Sequence, residues 1–413
     1  MITKRIRAVI TTKCNMNCPY CNKEFYSGKP PTTFMPPETI KEDLLKLKQV
    51  TGYRAVDITG GEPLLYPKLK DLLLSIRSEF EFIRIITNGT FPEKLIELKQ
   101  LGLVDYVTIT IHQRKEVINK LASLADEFNE IVLDDVPVDY YLELIRTAKS
   151  IRKNLSLIKV YGKPCKNFAF LWYSFKEIGR ELPRRLIITE EPLIDLVLCN
   201  CDAVRWQAYS PREVCKSIFY YAENRKAGNC YINLNKIENL KFHFCKKRRE
   251  KRKVEVAREV EKRFYAPHIK IENGKRVCDF VFKAGRNRYV RLRYKGGEWK
   301  LDVKVLGRIW EEVSVKPESP LILNALLEFF EPHLIIDRMR KEIVEDECKI
   351  VFDEVKYLGR FVEIEGSEEC IEKFKEKLNL KKEVPPYGKL LEEKGFKATE
   401  KEMFTTLKEL LDN

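Results

Sequence analysis

Cys14, Cys18 and Cys21 stand in the segment TTKCNMNCPYC with the spacing C-x3-C-x2-C. Three thiolates so close in sequence can each ligate one iron of a [4Fe–4S] cube, leaving the fourth iron an open coordination position. An open position is where a metal does chemistry rather than only holding a fold. A structural zinc site would close with four ligands, and no fourth Cys or His follows nearby. The competing reading is three unrelated buried thiols.

Two turns and a strand end follow in order. Thr59-Gly60-Gly61-Glu62-Pro63 closes the apolar run Ala55–Ile58, which reads as a buried parallel strand. Its two glycines would let a backbone come close to a ligand. Thr87-Asn88-Gly89-Thr90 closes a strand at 82–86, and a strand at 106–112 ends in Thr110 and His112. Together these residues resemble the radical S-adenosylmethionine (radical SAM) superfamily. The resemblance implies a [4Fe–4S] cluster on Cys14, Cys18 and Cys21, and S-adenosylmethionine (SAM) bound beside it. It further implies Tyr20 near the adenine and Gly60, Gly61 and Glu62 at the methionine amino group. Thr87 and Asn88 would lie near the ribose, with Thr110 and His112 as a hydroxyl and a polar group at a strand end. His112 reads equally well as a hydrogen-bonded rim histidine.

The elements that must position these groups alternate. Strands at 5–11, 55–59, 82–87 and 106–112 are separated by helical patterns, such as Ile40, Leu44 and Leu47 after Pro37. A strand at 130–133, a helix at 138–152 and strands at 156–160 and 184–189 continue the series. Such alternation gives a parallel sheet with right-handed crossovers. The expected fold is α/β, a partial (β/α)6 barrel, with its chemistry at the C-terminal strand ends.

With 413 residues the chain is expected to form two or three domains. Charged residues make up 33% and hydrophobic ones 44%, and no apolar run reaches membrane-spanning length. A cytoplasmic location without a membrane partner is therefore expected. In that compartment the twelve cysteines are read as metal-binding or catalytic rather than disulfide-bonded. Cys199, Cys201, Cys215, Cys230 and Cys245, with His243 nearby, leave two readings open: an auxiliary cluster or zinc site, or ordinary buried thiols. Arg205, Trp206, Tyr209 and Arg212 would either line a pocket for an anionic, stackable molecule or pack in the core. The net charge of +14 admits nucleic acid or polyphosphate as a partner. The run 246–253 reads as a solvated basic linker, or as an RNA or phosphate contact.

Beyond that run, residues alternate as on strands. Glu259, Glu261 and Arg263 share a face, as do Arg291 and Arg293, Lys300 with Asp302 and Lys304, and Glu363 with Glu365. Arginine and lysine hold phosphate oxygens, and carboxylates hold Mg²⁺ or Mn²⁺. Solvent-facing charge on a half-buried sheet is the plainer alternative. The motif order, closing with Asp353, Gly359, Glu363 and Glu365, resembles the CYTH family of triphosphate tunnel metalloenzymes over residues 254–396. The resemblance implies a mainly antiparallel β-barrel (tunnel) α+β domain. Glu259, Glu261, Glu363 and Glu365 would hold metal, and Arg263, Arg291, Arg293, Lys300, Lys304, Arg338 and Arg340 would hold phosphates. Arg263 stands where the family usually has lysine. Arginine keeps the charge but cannot act as a base, so binding would outlast hydrolysis.

The expected organisation is a radical SAM core with a Cys-rich extension at 1–245, the linker 246–253, the CYTH-like domain 254–396 and a terminal helix at 397–413. The barrel motifs look most like the GTP-cyclising enzymes of molybdenum-cofactor synthesis, whose substrate is a triphosphate. The expected activity is radical modification of a nucleotide or triphosphorylated small molecule, with ferredoxin or flavodoxin as electron donor. An RNA- or tRNA-modifying enzyme, or a non-catalytic polyphosphate-binding second half, stays open beside it.

Overall fold

The computed structural model describes residues 4–21, 34–159, 165–175, 186–188, 217–228, 235–239, 260–285, 288–305 and 311–412. They cluster into two compact units, one holding every strand up to Asn235–Lys236 and the other every strand from Val260 onward.

The first unit is built on strands β1 (Arg5–Val9), β2 (Ala55–Thr59), β3 (Phe82–Thr87), β4 (Tyr106–Thr110), β5 (Glu127–Val132), β6 (Asn154–Lys159), β7 (Leu186–Ile188), β8 (Ser217–Tyr221), β9 (Lys226–Gly228) and β10 (Asn235–Lys236). The sheet order is β10-β9-β8-β1-β2-β3-β4-β5-β6-β7. Every neighbour from β8 through β7 runs parallel, and only the β8–β9 and β9–β10 pairs are antiparallel. Helices Pro37–Thr51, Leu69–Ile76 and Pro92–Gln100 make the crossovers between β1 and β4. This is the parallel α/β sheet of a partial barrel. On one face Ile6, Ala8, Val56, Ile58, Ile83, Ile85, Val107 and Ile109 are buried, as are Leu44, Leu47, Leu72 and Leu95 of the crossover helices. The opposite face is buried but polar. Register sets Asp57 between Arg7 and Arg84. Asp57 accepts from Arg84 Nε at 2.9 Å and Nη2 at 2.6 Å and from Arg5 Nη1 at 3.2 Å. These cations hold its carboxyl below the usual range although burial opposes them.

The second unit is antiparallel. Its strands are β11 (Val260–Tyr265), β12 (Lys275–Lys283), β13 (Arg288–Lys295), β14 (Glu298–Val305), β15 (Glu311–Val315), β16 (Glu331–Glu345), β17 (Cys348–Val355), β18 (Gly359–Gly366) and β19 (Lys382–Glu383). The order is β15-β14-β13-β12-β16-β17-β18-β11-β19. The expected closed tunnel is corrected here: among the described residues no hydrogen-bonded pairing joins the two edges. The sheet nevertheless curls. Burial, then Glu363, raise the pKa of Glu261 on β11, and among the charges opposing that rise is Lys304 on β14, six strands away in that order. A flat sheet would separate them by about 29 Å, well beyond the reach of a screened charge.

The helix Glu368–Lys377 covers the apolar side of β17, β18 and β11, where Phe264, Ile350, Val362, Ile364, Ile371 and Phe374 form one core. Ser367 caps it by accepting from the Cys370 N–H. Cys348 and Cys370 are joined by a disulfide with Cα atoms 6.1 Å apart. For this pair the expectation of metal or catalytic use is overturned, because β17 and the helix start bring the two side chains face to face. The terminal helix spans Glu400–Leu411, with a capping box from Thr399 and Glu402.

Candidate functional site

β1 leads into the segment Ile10–Cys21, which is locked to the end of β2. The Gly61 N–H donates to Thr11 O and the Glu62 N–H to Lys13 O, each at 2.8 Å. A Cβ at Gly60 would lie 2.3 Å from Thr11 O, and one at Gly61 would lie 2.3 Å from Lys13 O. Glycine at both positions therefore permits close approach of the chain to itself at this turn. Glu62 is fully buried. Its oxygens accept from Thr87 Oγ1 at 2.7 Å, the Leu64 N–H at 3.0 Å and the Asn88 N–H at 2.8 Å. Burial raises its pKa despite these donors. Glu62 thus clasps the first turn to the second.

The second turn reaches back to the cysteines. Asn88 Nδ2 donates to Asn15 Oδ1 at 2.8 Å and lies 3.9 Å from Cys14 Sγ, while Asn88 Oδ1 accepts from Thr90. At the end of β4, Thr110 is half-buried beside Asn129. His112 and Gln113 follow with φ near 54° and 59°. This left-handed step aims His112 Nδ1 at the Tyr20 hydroxyl, 2.8 Å away, and at Cys18 Sγ, 3.5 Å away, with the two rings stacked. Burial, then the nearby Arg114, pull the His112 pKa down to about 4. Tyr20 is pushed well up by burial, with Cys18 and Glu130 adding to it.

Cys14, Cys18 and Cys21 are half-buried and outside any disulfide. Their sulfurs do not meet the 4.8 Å span of a single-ion site, which among the described residues only Glu261, Glu363 and Glu365 satisfy. A [4Fe–4S] cluster takes one cysteine thiolate per iron, and three such thiolates stand on this loop. Asn88 and His112 supply nitrogen atoms near two of the sulfurs. The donor set therefore fits an iron–sulfur cluster.

Several residues here carry no local motif. Glu223, in the turn after β8, accepts from the Thr12 N–H at 2.6 Å and Thr12 Oγ1 at 2.8 Å across 211 positions. Gln113 donates to buried Glu130, and Arg114 donates to Asn88 O at 2.6 Å. Cys199, Cys201, Cys215, Cys230, Cys245, His243, Arg205, Trp206, Tyr209, Arg212, the run 246–253 and Glu259 lie outside the described residues.

In the second unit, three aspartates fix the predicted arginines. Arg293 donates Nε and Nη2 to Asp279, Arg291 to Asp302 and Arg340 to Asp353, at 2.6–3.0 Å. Arg338 Nη1 adds a bond to Asp279 at 3.1 Å. The three carboxylates are 0–2% exposed. Arginine holds Asp279 well below the ordinary range and Asp302 below it, against the upward pull of burial. Lys300 lies 3.5 Å from Asp302, and Lys304 is half-buried on the same strand. Asp353 also accepts from Tyr387 OH at 2.8 Å, and so belongs to the arginine network, not to the glutamates. Glu261, Glu363 and Glu365 do converge, but Arg263 donates to Glu261 at 2.6 Å and to Glu363 through Nε at 3.0 Å. Arg263 is thereby set among the carboxylates rather than among the phosphate-directed bases.

The sequence profile of the Radical SAM superfamily matches residues 8–164. A probable GTP 3′,8-cyclase of Archaeoglobus fulgidus is 41% identical over 25% of this chain and 33% of its own. The GTP 3′,8-cyclase of Aquifex aeolicus is 33% identical over 31% of this chain and 43% of its own. The chain thus spans about a third to under half of the length of these two relatives. SuiB of Streptococcus suis, solved bound to S-adenosylmethionine, is 14% identical with a TM-score of 0.42 over 57% of this chain and 63% of its own. With the matched profile and a parallel sheet whose first strand leads into the three cysteines, the N-terminal region of this chain is a radical SAM domain.

Proposed function

We propose that this protein is a radical SAM enzyme acting on a nucleotide or other triphosphorylated small molecule. The observation that carries the reading is the loop of three cysteines outside any disulfide, locked by backbone hydrogen bonds to the turn after β2. Cys14, Cys18 and Cys21 hold the [4Fe–4S] cluster. Bound together, a reduced cluster and SAM supply a 5′-deoxyadenosyl radical for hydrogen abstraction. The chain's own part is placement. Glu62 holds the two turns in register, Asn88 and His112 approach the sulfurs, and Tyr20 offers a ring beside the third cysteine. Gly60, Gly61, Thr87 and Thr110 shape the cofactor's bed. An external one-electron donor such as ferredoxin or flavodoxin completes the reaction.

The substrate class follows from two supports. The curated relatives bear the name GTP 3′,8-cyclase. The second unit presents Arg291, Arg293, Arg338, Arg340, Lys300 and Lys304 on one curled face, which suits a triphosphate and reads as CYTH-like. The test is iron and sulfide content with EPR after anaerobic reduction, followed by a search for 5′-deoxyadenosine on adding SAM and GTP. About four irons per chain, lost in a Cys14/Cys18/Cys21→Ala variant, are expected. Protein that takes up no iron on anaerobic reconstitution would sink the reading.

A further inference from the structure

The acidic corner of the second unit contains its own cation. Glu261, Glu363 and Glu365 bring oxygens within 4.8 Å of one another. Each already faces a base. Arg263 bonds Glu261 and Glu363, Lys349 Nζ donates to Glu365 at 2.9 Å, and Arg340 Nη2 lies 3.9 Å from Glu363. Arg263 and Lys349 offset two of the three carboxylates, and Arg340, which also holds Asp353, lies beside the third. Affinity for Mg²⁺ or Ca²⁺ depends on the uncompensated charge of the ligand set, and here little is left for an added ion.

Arg263 is also poorly placed to leave. Its side chain is 11% exposed, and its guanidinium lies 4.4 Å from the centroid of the Tyr387 ring. Tyr387 is itself buried and anchored through its hydroxyl to Asp353, which grips Arg340 through two bonds. Lysine in this place would be a flexible point charge that could swing aside, whereas arginine is planar, stacked and never deprotonated. A divalent ion would have to displace a stacked, doubly bonded guanidinium and then find near-ideal octahedral geometry.

The bases that would meet a phosphate chain are organised without metal. Arg291, Arg293 and Arg340 all use the Nε/Nη2 edge on a buried aspartate. Arg291 Nη1 also lies 3.9 Å from Asp279 Oδ2 and Arg340 Nη1 3.7 Å from Glu342 Oε1, so a second carboxylate helps to fix both guanidiniums. Guanidiniums fixed in this way lose little freedom on binding an anion.

We infer that the second unit binds a linear polyphosphate group without a divalent cation, with Arg263 as the fixed counter-charge of the Glu261–Glu363–Glu365 corner. The inference rests on the triphosphate reading above. It makes the unit a carrier or recognition module for the triphosphate rather than a metal-dependent hydrolase.

Calorimetric titration of the full chain with inorganic tripolyphosphate, in EDTA and in excess Mg²⁺, tests it. The expected result is binding in EDTA with an affinity within about twofold of that in Mg²⁺, weakened at least several-fold by Lys300→Gln with Lys304→Gln. Mn²⁺ EPR should show no tight Mn²⁺ site that depends on Glu261, and Arg263→Lys should create one. Binding that needs Mg²⁺, or gains about tenfold or more from it (~1.4 kcal/mol), overturns the inference while keeping the triphosphate reading. So does a tight Mn²⁺ site in wild type that Glu261→Gln abolishes. No binding in either buffer overturns the triphosphate reading and the inference together.

Discussion

The two units solve the placement of polar groups in opposite ways. In the radical SAM domain the decisive contacts run between backbone and side chain. The cysteine loop is held by N–H and C=O groups of Thr11, Lys13, Gly61 and Glu62, and single carboxylates, Glu62 and Glu223, tie strand ends together. In the antiparallel unit the contacts run between charges, and buried aspartates fix arginines along one sheet face. The first arrangement leaves the ligands themselves, three thiols, unengaged by any disulfide. The second leaves almost no charge uncompensated. Thiols outside any disulfide keep their capacity to coordinate, whereas arginines held by buried aspartates are cations of fixed position.

If the antiparallel unit depends on charge pairing, removing one buried carboxylate should be the most damaging change. Asp279→Asn strands Arg293 and Arg338 against an amide. Breaking a buried pair in this way costs about 3–5 kcal/mol, so a thermal melt should show an early transition. The same residue predicts a pH dependence. Its folded pKa is depressed, so its contribution is full above the unfolded carboxyl value of about 4 and is lost as pH falls toward the folded one. The wild-type melt should drop steeply below that pH, and Asp279→Asn should flatten the slope. Next in size is the Cys348–Cys370 disulfide, which spans 22 positions. Reduction should lower stability by about 3 kcal/mol on the chain-entropy account. An unchanged melt under reductant would mean that the helix Glu368–Lys377 is held by its apolar face alone.

The comparison also explains what could be read from the chain. In the first unit the parallel strands β1 to β4 are largely apolar runs that end in a motif, so their start or end points were legible to within two residues. In the second unit the alternating strands β11, β13, β14, β17 and β18 were legible, but β12 and β16 were not. In β12, Val277, Cys278, Asp279 and Phe280 are buried on both faces, which erases the period-two signal. The 15-residue β16 carries Leu334, Ile335 and Ile336 in a row. Alternation tells which residues share a face but not whether the edges pair; closure was expected from the family resemblance, and the described residues form a curled sheet with unpaired edges. At the site, the cysteines and turns announced themselves through local spacing. Glu223, Glu130 and Arg114 did not, because their partners lie 211, 17 and 26 positions away. The glycines announced a close approach, and the chain segment Thr11–Lys13 that lies against them could not be read from the turn itself.

Within the radical SAM domain, Glu62→Gln should have the larger effect. A buried amide replaces a carboxylate that accepts three hydrogen bonds, so one donor would face another. The expected loss is about 1–3 kcal/mol, with a perturbed cluster EPR signal because Asn88 moves with its turn. An unaltered signal together with the stability loss would reduce Glu62 to a packing role.

Glu223 gives the smallest effect on stability and the sharpest test of how the cysteine loop is held. Its carboxylate engages Thr12 twice, two residues before Cys14, from a half-buried position. Glu223→Ala should cost about 1 kcal/mol, while Glu223→Gln keeps an acceptor for the Thr12 N–H. If the turn after β2 and Glu223 share the work, the alanine variant should reconstitute less iron and broaden the EPR signal, and glutamine should restore most of both. Stability and cluster properties would then separate, since a merely structural contact would lower the melting temperature in both variants and leave the signal alone. Equal iron and identical spectra in the alanine variant would instead assign the loop entirely to the Gly61 and Glu62 backbone bonds, making the lock wholly local to β1 and β2.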